Sequence, residues 1–212
     1  MTSIATSTWE LVFWEQQGVM HAAVRGPETT ASSVETVGDS ESFGITFAHG
    51  TSMPHLPIGP LVDGGHGSPH VTERTFLLRD EEWQTPEFDD AELLVQKLVR
   101  AGVLVRDPIV DEVVWGGAAR VGSRTVQRRV AAATGLTQSA IRQIERAREA
   151  AVLLEAGACA LDVVHRLGYY DQPHLARSLQ RFIGRTATQL QQPDPAADPL
   201  SLLYKPESPT GS

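Results

Sequence analysis

Residues 160–190 constrain the fold of this chain more than any other segment, because they predict two helices joined by a tight turn. Gly168 can adopt the left-handed backbone that ends the first helix, and Asp171 can cap the first amides of the second. Pro173 fits a first helical turn, so the second helix begins beside it. The helical spacing then predicts an apolar stripe of Leu175, Leu179 and Phe182, and an opposite polar face of Pro173, His174, Arg177, Gln180 and Arg181.

Residues 122–131 repeat this arrangement about 50 residues earlier, as an internal repeat would. Val126 and Val130 share one stripe, and the reverse side with its flank carries Arg124, Gln127 and Arg128. A single basic helix of this kind is equally typical of a helical hairpin with a solvated face. The second copy favours the other interpretation, in which both helices contact DNA.

A long amphipathic helix is predicted between the two patterns, over residues 137–154. Thr137 or Ser139 can cap it, and Gly157 closes it. Its length of about 27 Å is comparable with the roughly 34 Å between successive major-groove faces of B-DNA. The spacing therefore suits the insertion of the two basic helices, called the reading helices below, into adjacent major grooves. Its apolar positions are Ile141, Ile144, Ala151, Val152 and Leu154.

Three stretches carry a family resemblance: Arg-Thr-Val-Gln-Arg-Arg from residue 124, Ala-Thr-Gly-Leu-Thr from residue 133, and the run from Leu167 to Thr186. Together they resemble the DNA-binding domain of AraC/XylS-type transcription regulators, over about residues 107–190. The resemblance implies a compact all-helical domain in which a linker helix joins two helix-turn-helix units. It also implies base-reading positions, which are Arg124, Gln127 and Arg128 in the first unit and Gln172, His174 and Arg177 in the second. Arg181 completes the predicted DNA-binding set.

The sequence departs from this family in two places. Arg120 stands where the family has the glycine of the first turn, shortly after Gly116 and Gly117. We therefore expect the scaffold helix of the first unit to be short or distorted. Ala187 replaces a proline near the last helix, which is expected to alter only the start of that helix.

The net charge of −8 is divided unevenly along the chain. Residues 1–119 hold 6 basic and 18 acidic residues, whereas residues 120–190 hold 11 arginines and 5 acidic residues. A DNA-binding segment is expected to be basic even in an acidic chain. We expect about half of these arginines to contact DNA, mostly at phosphates. The linker helix offers an alternative for three of them, since Arg142, Arg146 and Arg148 can pair with Glu145 and Glu149.

The first hundred residues differ in composition, with short apolar stretches separated by Gly, Pro, Ser and Asp. This pattern predicts a β-rich region, and its position resembles the sensory region of AraC-type regulators, often a cupin-like barrel. It holds too few strands for a complete barrel, so we expect a reduced barrel or a small sheet completed by a partner chain. The stretches are Trp9–Trp14, His21–Arg25, Phe43–Phe47 and Thr75–Leu78.

The predicted fold is therefore α+β, a small β-rich and reduced cupin-like N-terminal domain followed by an all-α double helix-turn-helix domain. The expected boundaries are residues 1–86 for the regulatory domain, 87–106 for a linker or dimerisation helix, 107–190 for the DNA-binding domain and 191–212 for a flexible tail. In that tail, Leu200 to Tyr204 can dock on the body.

Residues 87–101 predict a helix with one apolar stripe, ended by Gly102. The stripe holds Ala91, Leu94, Val95 and Leu98. In related regulators a helix at this place often forms the dimer seam. The same stripe would equally well cover the chain's own sheet, and the pattern does not separate the two.

Four histidines of the N-terminal half, His49, His55, His66 and His70, raise the alternative of a cupin-like metal sensor or metalloenzyme whose helices serve assembly. No tight ligand motif accompanies them, so we expect neither a metal nor a cofactor. A small organic effector is better supported. Its predicted surroundings are the aromatic residues Trp9, Phe13, Trp14, Phe43, Phe47 and Trp83, for which an ordinary aromatic core is the other interpretation.

The lone cysteine, Cys159, excludes an intramolecular disulfide and fits a reducing cytoplasm. It is expected to be a small buried or cap-adjacent residue rather than a redox sensor. No membrane span or secretory leader is apparent. The expected protein is a cytoplasmic regulator without enzymatic activity, and its candidate partners are double-stranded DNA, a small-molecule effector, a second copy of itself and RNA polymerase. A third interpretation is an architectural DNA-binding protein without an effector.

Overall fold

The computed structural model describes residues 2–33, 42–117, 122–192 and 200 of the chain. These residues fall into two compact units. The β-rich unit lies within Thr6–Thr29 and Thr36–Arg142, and the C-terminal unit lies within Met1–Ala5, Thr30–Glu35 and Gln143–Ser212. The division of the chain into regulatory and DNA-binding segments by residue number stays a prediction.

The strands are short, in keeping with the Gly-, Pro- and Ser-rich segments between them. In the described part of the chain they are β1 (Thr2–Ser3), β2 (Glu10–Gln16), β3 (Val19–Arg25), β4 (Ser32–Ser33), β5 (Ser42–Thr46), β6 (Thr51–Ser52), β7 (Gly65–Gly67), β8 (Thr75–Leu78), β9 (Glu81–Gln84) and β10 (Val105–Arg106).

The α-helices follow the strands, except that β10 lies between α1 and α2, and two single 3₁₀ turns lie at Gly59–Leu61 and Phe88–Asp90. The α-helices of the described residues are α1 (Ala91–Arg100), α2 (Pro108–Val114), α3 (Ser123–Thr134), α4 (Gln138–Glu155), α5 (Ala160–Leu167), α6 (Gln172–Phe182) and α7 (Ala187–Gln191). A β-rich region followed by helices confirms the predicted α+β fold class.

The main sheet of the β-rich unit is antiparallel, with strand order β5-β2-β3-β7. Gln17 and Gly18 connect β2 to β3 with positive φ angles of 53° and 76°. Such a two-residue turn matches the twist of the strands it joins. Two smaller antiparallel pairs, β6 with β10 and β8 with β9, complete the strands of this unit. The cupin-like description of the sheet stays a prediction.

Aromatic residues fill the core of the β-rich unit. Trp9 stacks on Phe47 with ring centroids 4.1 Å apart, and Phe13 lies between Phe43 at 5.2 Å and Phe76 at 5.1 Å. Rings at these separations bury a large apolar area and favour offset or edge-to-face contacts. The aromatic residues considered as effector surroundings therefore belong largely to the core.

Helix α1 covers the chain's own sheet with the predicted apolar stripe. Leu94 and Leu98 are buried in the same core as the aromatic residues, and Val95 packs against it. Gly102 ends the helix with a positive φ angle of 70°, as the sequence predicts. The residues that α1 leaves exposed, Leu93 and Val99 among them, lie outside this stripe.

The first residues of the chain are part of the C-terminal unit. Strand β1 pairs with β4, and Thr2 also forms a parallel bridge with Leu200. The Ala5 N–H donates to the Phe182 carbonyl at 2.7 Å, and the Ala31 N–H donates to the Arg181 carbonyl at 2.8 Å. These carbonyls lie in the last turn of α6, where a helix has no internal donors left. The strands therefore satisfy the end of that helix.

Candidate DNA-binding surface

The turn between α5 and α6 is built by local chemistry. Gly168 ends α5 with φ +67°, which a residue with a side chain adopts only at a cost. Asp171 is the N-cap of α6, and its Oδ1 accepts the His174 N–H at 2.7 Å. Pro173 lies in the first turn of α6. All three positions confirm the prediction for this turn.

Tyr169 ties the turn to the neighbouring helices. Its ring is buried, and its hydroxyl lies 3.2 Å from the Ser178 Oγ of α6. The Arg146 guanidinium of α4 lies over the ring face, 4.5 Å from its centroid. Burial raises the pKa of the Tyr169 hydroxyl, while Ser178 and Arg146 oppose that shift. The contact between Arg146 and Tyr169 was not predicted from the sequence, because these two residues lie far apart in the chain.

Helix α6 presents a polar face to solvent. Leu175, Leu179 and Phe182 are buried, as the predicted stripe requires. Among the predicted DNA-binding residues of this helix, Gln172, Arg177 and Arg181 are exposed. The Arg181 guanidinium also lies 4.9 Å from the centroid of the Phe182 ring.

His174 is more enclosed than the predicted outward face suggests. It is half-buried and packs edge-to-face against the Tyr169 ring, with the two ring centroids 5.2 Å apart. Its Nδ1 accepts the Tyr170 N–H at 3.3 Å, which leaves Nε2 as the nitrogen that carries a proton in the neutral ring. Because His174 lies in the first turn of α6, it is next to both the α5–α6 turn and the Asp171 cap.

Tyr170 is a candidate contact that sequence reasoning missed. Its side chain is 90% exposed and immediately precedes the Asp171 cap. Tyrosine hydroxyls commonly bind phosphate oxygens of DNA, and an aromatic ring this exposed gains nothing from the core. The signal was available, since two adjacent tyrosines in a tight turn cannot both be buried.

Replacement of the cap residue tests the geometry of α6. We expect Asp171→Ala to lower the free energy of unfolding by about 1 kcal/mol, because it removes the acceptor of the His174 N–H. Urea denaturation followed by circular dichroism measures the change. Asp89→Ala, at an exposed position without a cap bond to a backbone amide, is the control. Equal stability of both variants would contradict a capping role for Asp171.

The first helix-turn-helix unit lies in the β-rich unit and consists of α2 and α3. Val126 and Val130 of α3 are buried, whereas the predicted reading residues Arg124, Gln127 and Arg128 are exposed. Among the hydrogen bonds and ion pairs within the described residues, none engages the side chain of any of these three. They are therefore available to a ligand.

Asp107 joins the two helices of the first unit. It caps α2 by accepting the Ile109 N–H at 3.0 Å. It also forms an ion pair with Arg129 of α3, whose Nη1 lies 3.3 Å from the Asp107 Oδ2. Helix α2 is only 7 residues long, which agrees with the expected short scaffold helix. The Arg120 position that motivated this expectation lies outside the described residues.

The sequence allowed the arginines of the linker helix to pair with its glutamates, but two of these arginines make other contacts. Helix α4 has the expected length of 18 residues, and the Thr137 hydroxyl accepts the Ala140 N–H at 3.2 Å near its start. Arg146 lies over Tyr169, and Arg148 donates to the Ala5 carbonyl at 2.9 Å. Burial lowers the pKa of Arg148, and Glu145 partly offsets the shift. These two arginines are thus structural.

The remaining polar candidates of the sequence are the histidines of the N-terminal half and Cys159. Within the described ranges, no three His, Cys, Asp or Glu side chains group as metal ligands would. His49 is buried with its Nε2 2.7 Å from the Ser7 hydroxyl. Cys159 is exposed and caps α5, its Sγ accepting the Asp162 N–H at 3.4 Å. None of the described helices combines the length and apolarity that a bilayer crossing requires.

Two helix pairs, α2–α3 and α5–α6, each expose arginines from their second helix, which is the arrangement of a helix-turn-helix DNA-binding protein. Residues 115–193 match a family model described as a helix-turn-helix domain. This match confirms the resemblance of that region to the DNA-binding domain of AraC/XylS-type regulators and supports a DNA-binding transcription regulator of AraC type. It points to a regulator rather than an enzyme. No curated protein and no solved structure matches the chain.

Proposed function

We propose that this regulator reads a specific DNA sequence with both helix-turn-helix units. In this proposal, base edges are read by exposed side chains of α3 and α6, and the other exposed arginines hold phosphates. The predicted reading residues are Arg124, Gln127 and Arg128 of α3 with Gln172, His174 and Arg177 of α6, and Arg181 adds a DNA contact.

The observation that carries the proposal is the anchoring of α6. Its start is fixed by Asp171, its inner face by Leu175 and Leu179, and its adjoining turn by Tyr169. Because α6 is held at its start and along its buried face, its exposed face can move little relative to the neighbouring helices. Arg177 therefore projects from a rigid support, which is what discrimination between base pairs requires.

Selection of bound fragments from random DNA tests this proposal. We expect an asymmetric motif of two boxes about one helical turn apart, one for each unit. A single box would assign sequence reading to one unit alone, and the absence of any enriched motif would contradict sequence-specific reading.

Removal of a reading arginine is expected to act on the preferred site more than on random DNA. Arg177→Ala and Arg128→Ala should each cost about 1–3 kcal/mol of binding free energy on the selected sequence, because bidentate contacts to guanine are lost. Fluorescence anisotropy with labelled duplexes measures both affinities. Arg100→Ala, an exposed arginine of α1, is the control. Equal losses on selected and random DNA would refute a reading role.

We further propose that the β-rich unit makes DNA binding responsive to a small effector. This unit holds α3 as well as the sheet, so a ligand bound near the sheet lies in the same compact body as one reading helix. Two states that differ in α3 position would differ in DNA affinity. A screen for small molecules that shift operator affinity tests the proposal, and an architectural protein without an effector would show no shift.

Assembly and contacts with the transcription machinery also belong to the proposal. A homodimer would double the number of reading units and raise the effective affinity for paired sites. Because α1 buries Leu94 and Leu98 in its own core, such a dimer would use other residues than this stripe. Sedimentation of the full chain tests the dimer. Contact with RNA polymerase and a cytoplasmic location stay predictions.

A further inference from the structure

The β-rich unit contains a cleft of about 170 Å³ on the side of the sheet that faces the β8–β9 hairpin. Its apolar floor comes from both elements, with Leu11, Ala22 and Val24 from the sheet and Phe76 and Leu78 from β8. An engineered apolar cavity of about 150 Å³ holds a benzene molecule, so the floor suits an apolar body of about six carbon atoms.

Four polar side chains line the cleft: His55, His66, Arg79 and Asp80. Within the part of the chain that the structure describes, they make no side-chain hydrogen bond and no ion pair. Ser68, which also lines the cleft, is occupied, since its Oγ bonds the His70 and Leu77 carbonyls. All four are exposed, so the available polar groups of the cleft are one guanidinium and two imidazoles, which donate, and the Asp80 carboxylate, which accepts.

The turn that carries Arg79 has an unusual backbone. Arg79 and Asp80 connect β8 to β9 with φ angles of +59° and +58°. A two-residue hairpin turn with both φ angles positive normally uses Asn-Gly or Asp-Gly, and other residues are strained there. The chain has an arginine at a position where asparagine would fit the backbone better. Such an arrangement points to a use for the charge.

We propose that this cleft binds a small carboxylate with an apolar body, and that the bound ligand acts on the reading helix α3; the second part rests on the proposed effector response. The apolar body lies on the Phe76 and Leu78 floor. The carboxylate faces Arg79, whose planar donors suit two carboxylate oxygens. His55 adds an N–H donor, and its pKa is lowered by desolvation and then by Arg79, with Asp80 and Glu81 opposing.

The route to α3 is one short segment. His55 and Leu56 line the cleft and lie in a tight turn closed by the Leu56 N–H to the Met53 carbonyl at 3.1 Å. The segment that follows this turn packs on the end of α3, where a Cβ on Gly135 would lie 2.7 Å from Val62 and 3.0 Å from Gly59. A displacement of the turn by ligand is therefore felt at this end of α3.

The residues that precede the His55 turn also contact the first helix-turn-helix unit. Strand β6 pairs with β10, which directly precedes Asp107. Asp107 caps α2 and bonds Arg129 of α3. The turn at His55 is thus connected to α3 on both sides through packed and hydrogen-bonded residues, which are contacts that can carry coupling between two sites.

Calorimetric titration of the full chain with hexanoate, 1-hexanol and hexylamine tests the ligand class. We expect hexanoate to bind, and its neutral and cationic counterparts to bind at least about tenfold more weakly, because they lack the charge that Arg79 recognises. Arg79→Asn should weaken hexanoate binding about tenfold or more without loss of stability, since asparagine tolerates the turn. Arg74→Asn, at an exposed arginine outside the cleft, is the matched control.

The coupling is tested on the selected DNA sequence with and without saturating hexanoate. We expect a change in affinity of about fivefold or more for the natural chain and none for Arg79→Asn. No hexanoate binding, or equal binding of hexylamine, would overturn the ligand class. Binding without a change in DNA affinity would overturn the route to α3. Failure to bind DNA at all would refute the proposed function, while the titration would still decide the ligand class.

Discussion

Raising the salt concentration from 50 to 200 mM is expected to weaken DNA binding by this chain about fortyfold. Neutralising a phosphate releases condensed counterions, so the logarithm of the affinity falls with the logarithm of salt in proportion to the number of phosphate contacts. Six described arginines beyond residue 120 are exposed: Arg124, Arg128, Arg142, Arg166, Arg177 and Arg181. Three of them, Arg142, Arg166 and Arg181, are outside the proposed base-reading set, and about three phosphate contacts give a change of this size.

Anisotropy titrations at four or five salt concentrations give the slope. Removing one phosphate-binding arginine, as in Arg166→Ala, should reduce the slope by about one, whereas Arg100→Ala should leave it unchanged. Because the first 119 residues are strongly acidic, the dependence is expected only if the arginines contact DNA directly. A slope near zero would show that the basic face is not a DNA-binding surface.

Leu179→Ala is expected to lower the free energy of unfolding by about 2–5 kcal/mol. Leu179 is fully buried in the stripe of α6, and its carbonyl accepts the Ile183 and Gly184 N–H groups at 2.8 and 3.0 Å. Truncation leaves a cavity beneath the reading face, so the loss of packing is added to the loss of apolar burial. Urea unfolding followed by circular dichroism measures the change.

Gln180→Ala is the matched control, because Gln180 is the next residue of the same helix and is exposed. It should change stability by less than about 0.5 kcal/mol. The Leu179 variant should also bind DNA more weakly wherever it is partly unfolded, and a stabilising osmolyte should restore that part of the loss. Similar small costs for both variants would mean that α6 is not held by its inner face.

The second helix-turn-helix unit could be predicted because its determinants are local. Gly168, Asp171 and Pro173 act on their own turn through backbone geometry and capping, and the buried stripe follows from helical spacing. The strands of the N-terminal half were predicted from similar local patterns. Their pairing order was not, since it depends on contacts between residues distant in the chain.

The parts that the sequence did not reveal are long-range contacts. Pairing with glutamates of its own helix was one possibility for Arg146, and the structure places its guanidinium over the buried ring of Tyr169. His174 is enclosed by that same ring. The cleft also escaped prediction, because the aromatic residues proposed to surround a ligand pack against one another instead.

The pairing of β1 and β4 with the end of α6 affects how this protein can be divided for study. A fragment that begins near residue 107 retains both helix-turn-helix units but lacks the donors from Ala5 and Ala31. It also loses the carbonyl that Arg148 binds, which removes one hydrogen-bond acceptor from a partly buried cation. Ala5 and Ala31 thus complete the contacts of the second helix-turn-helix unit, so no single cut of the chain releases that unit with all of them.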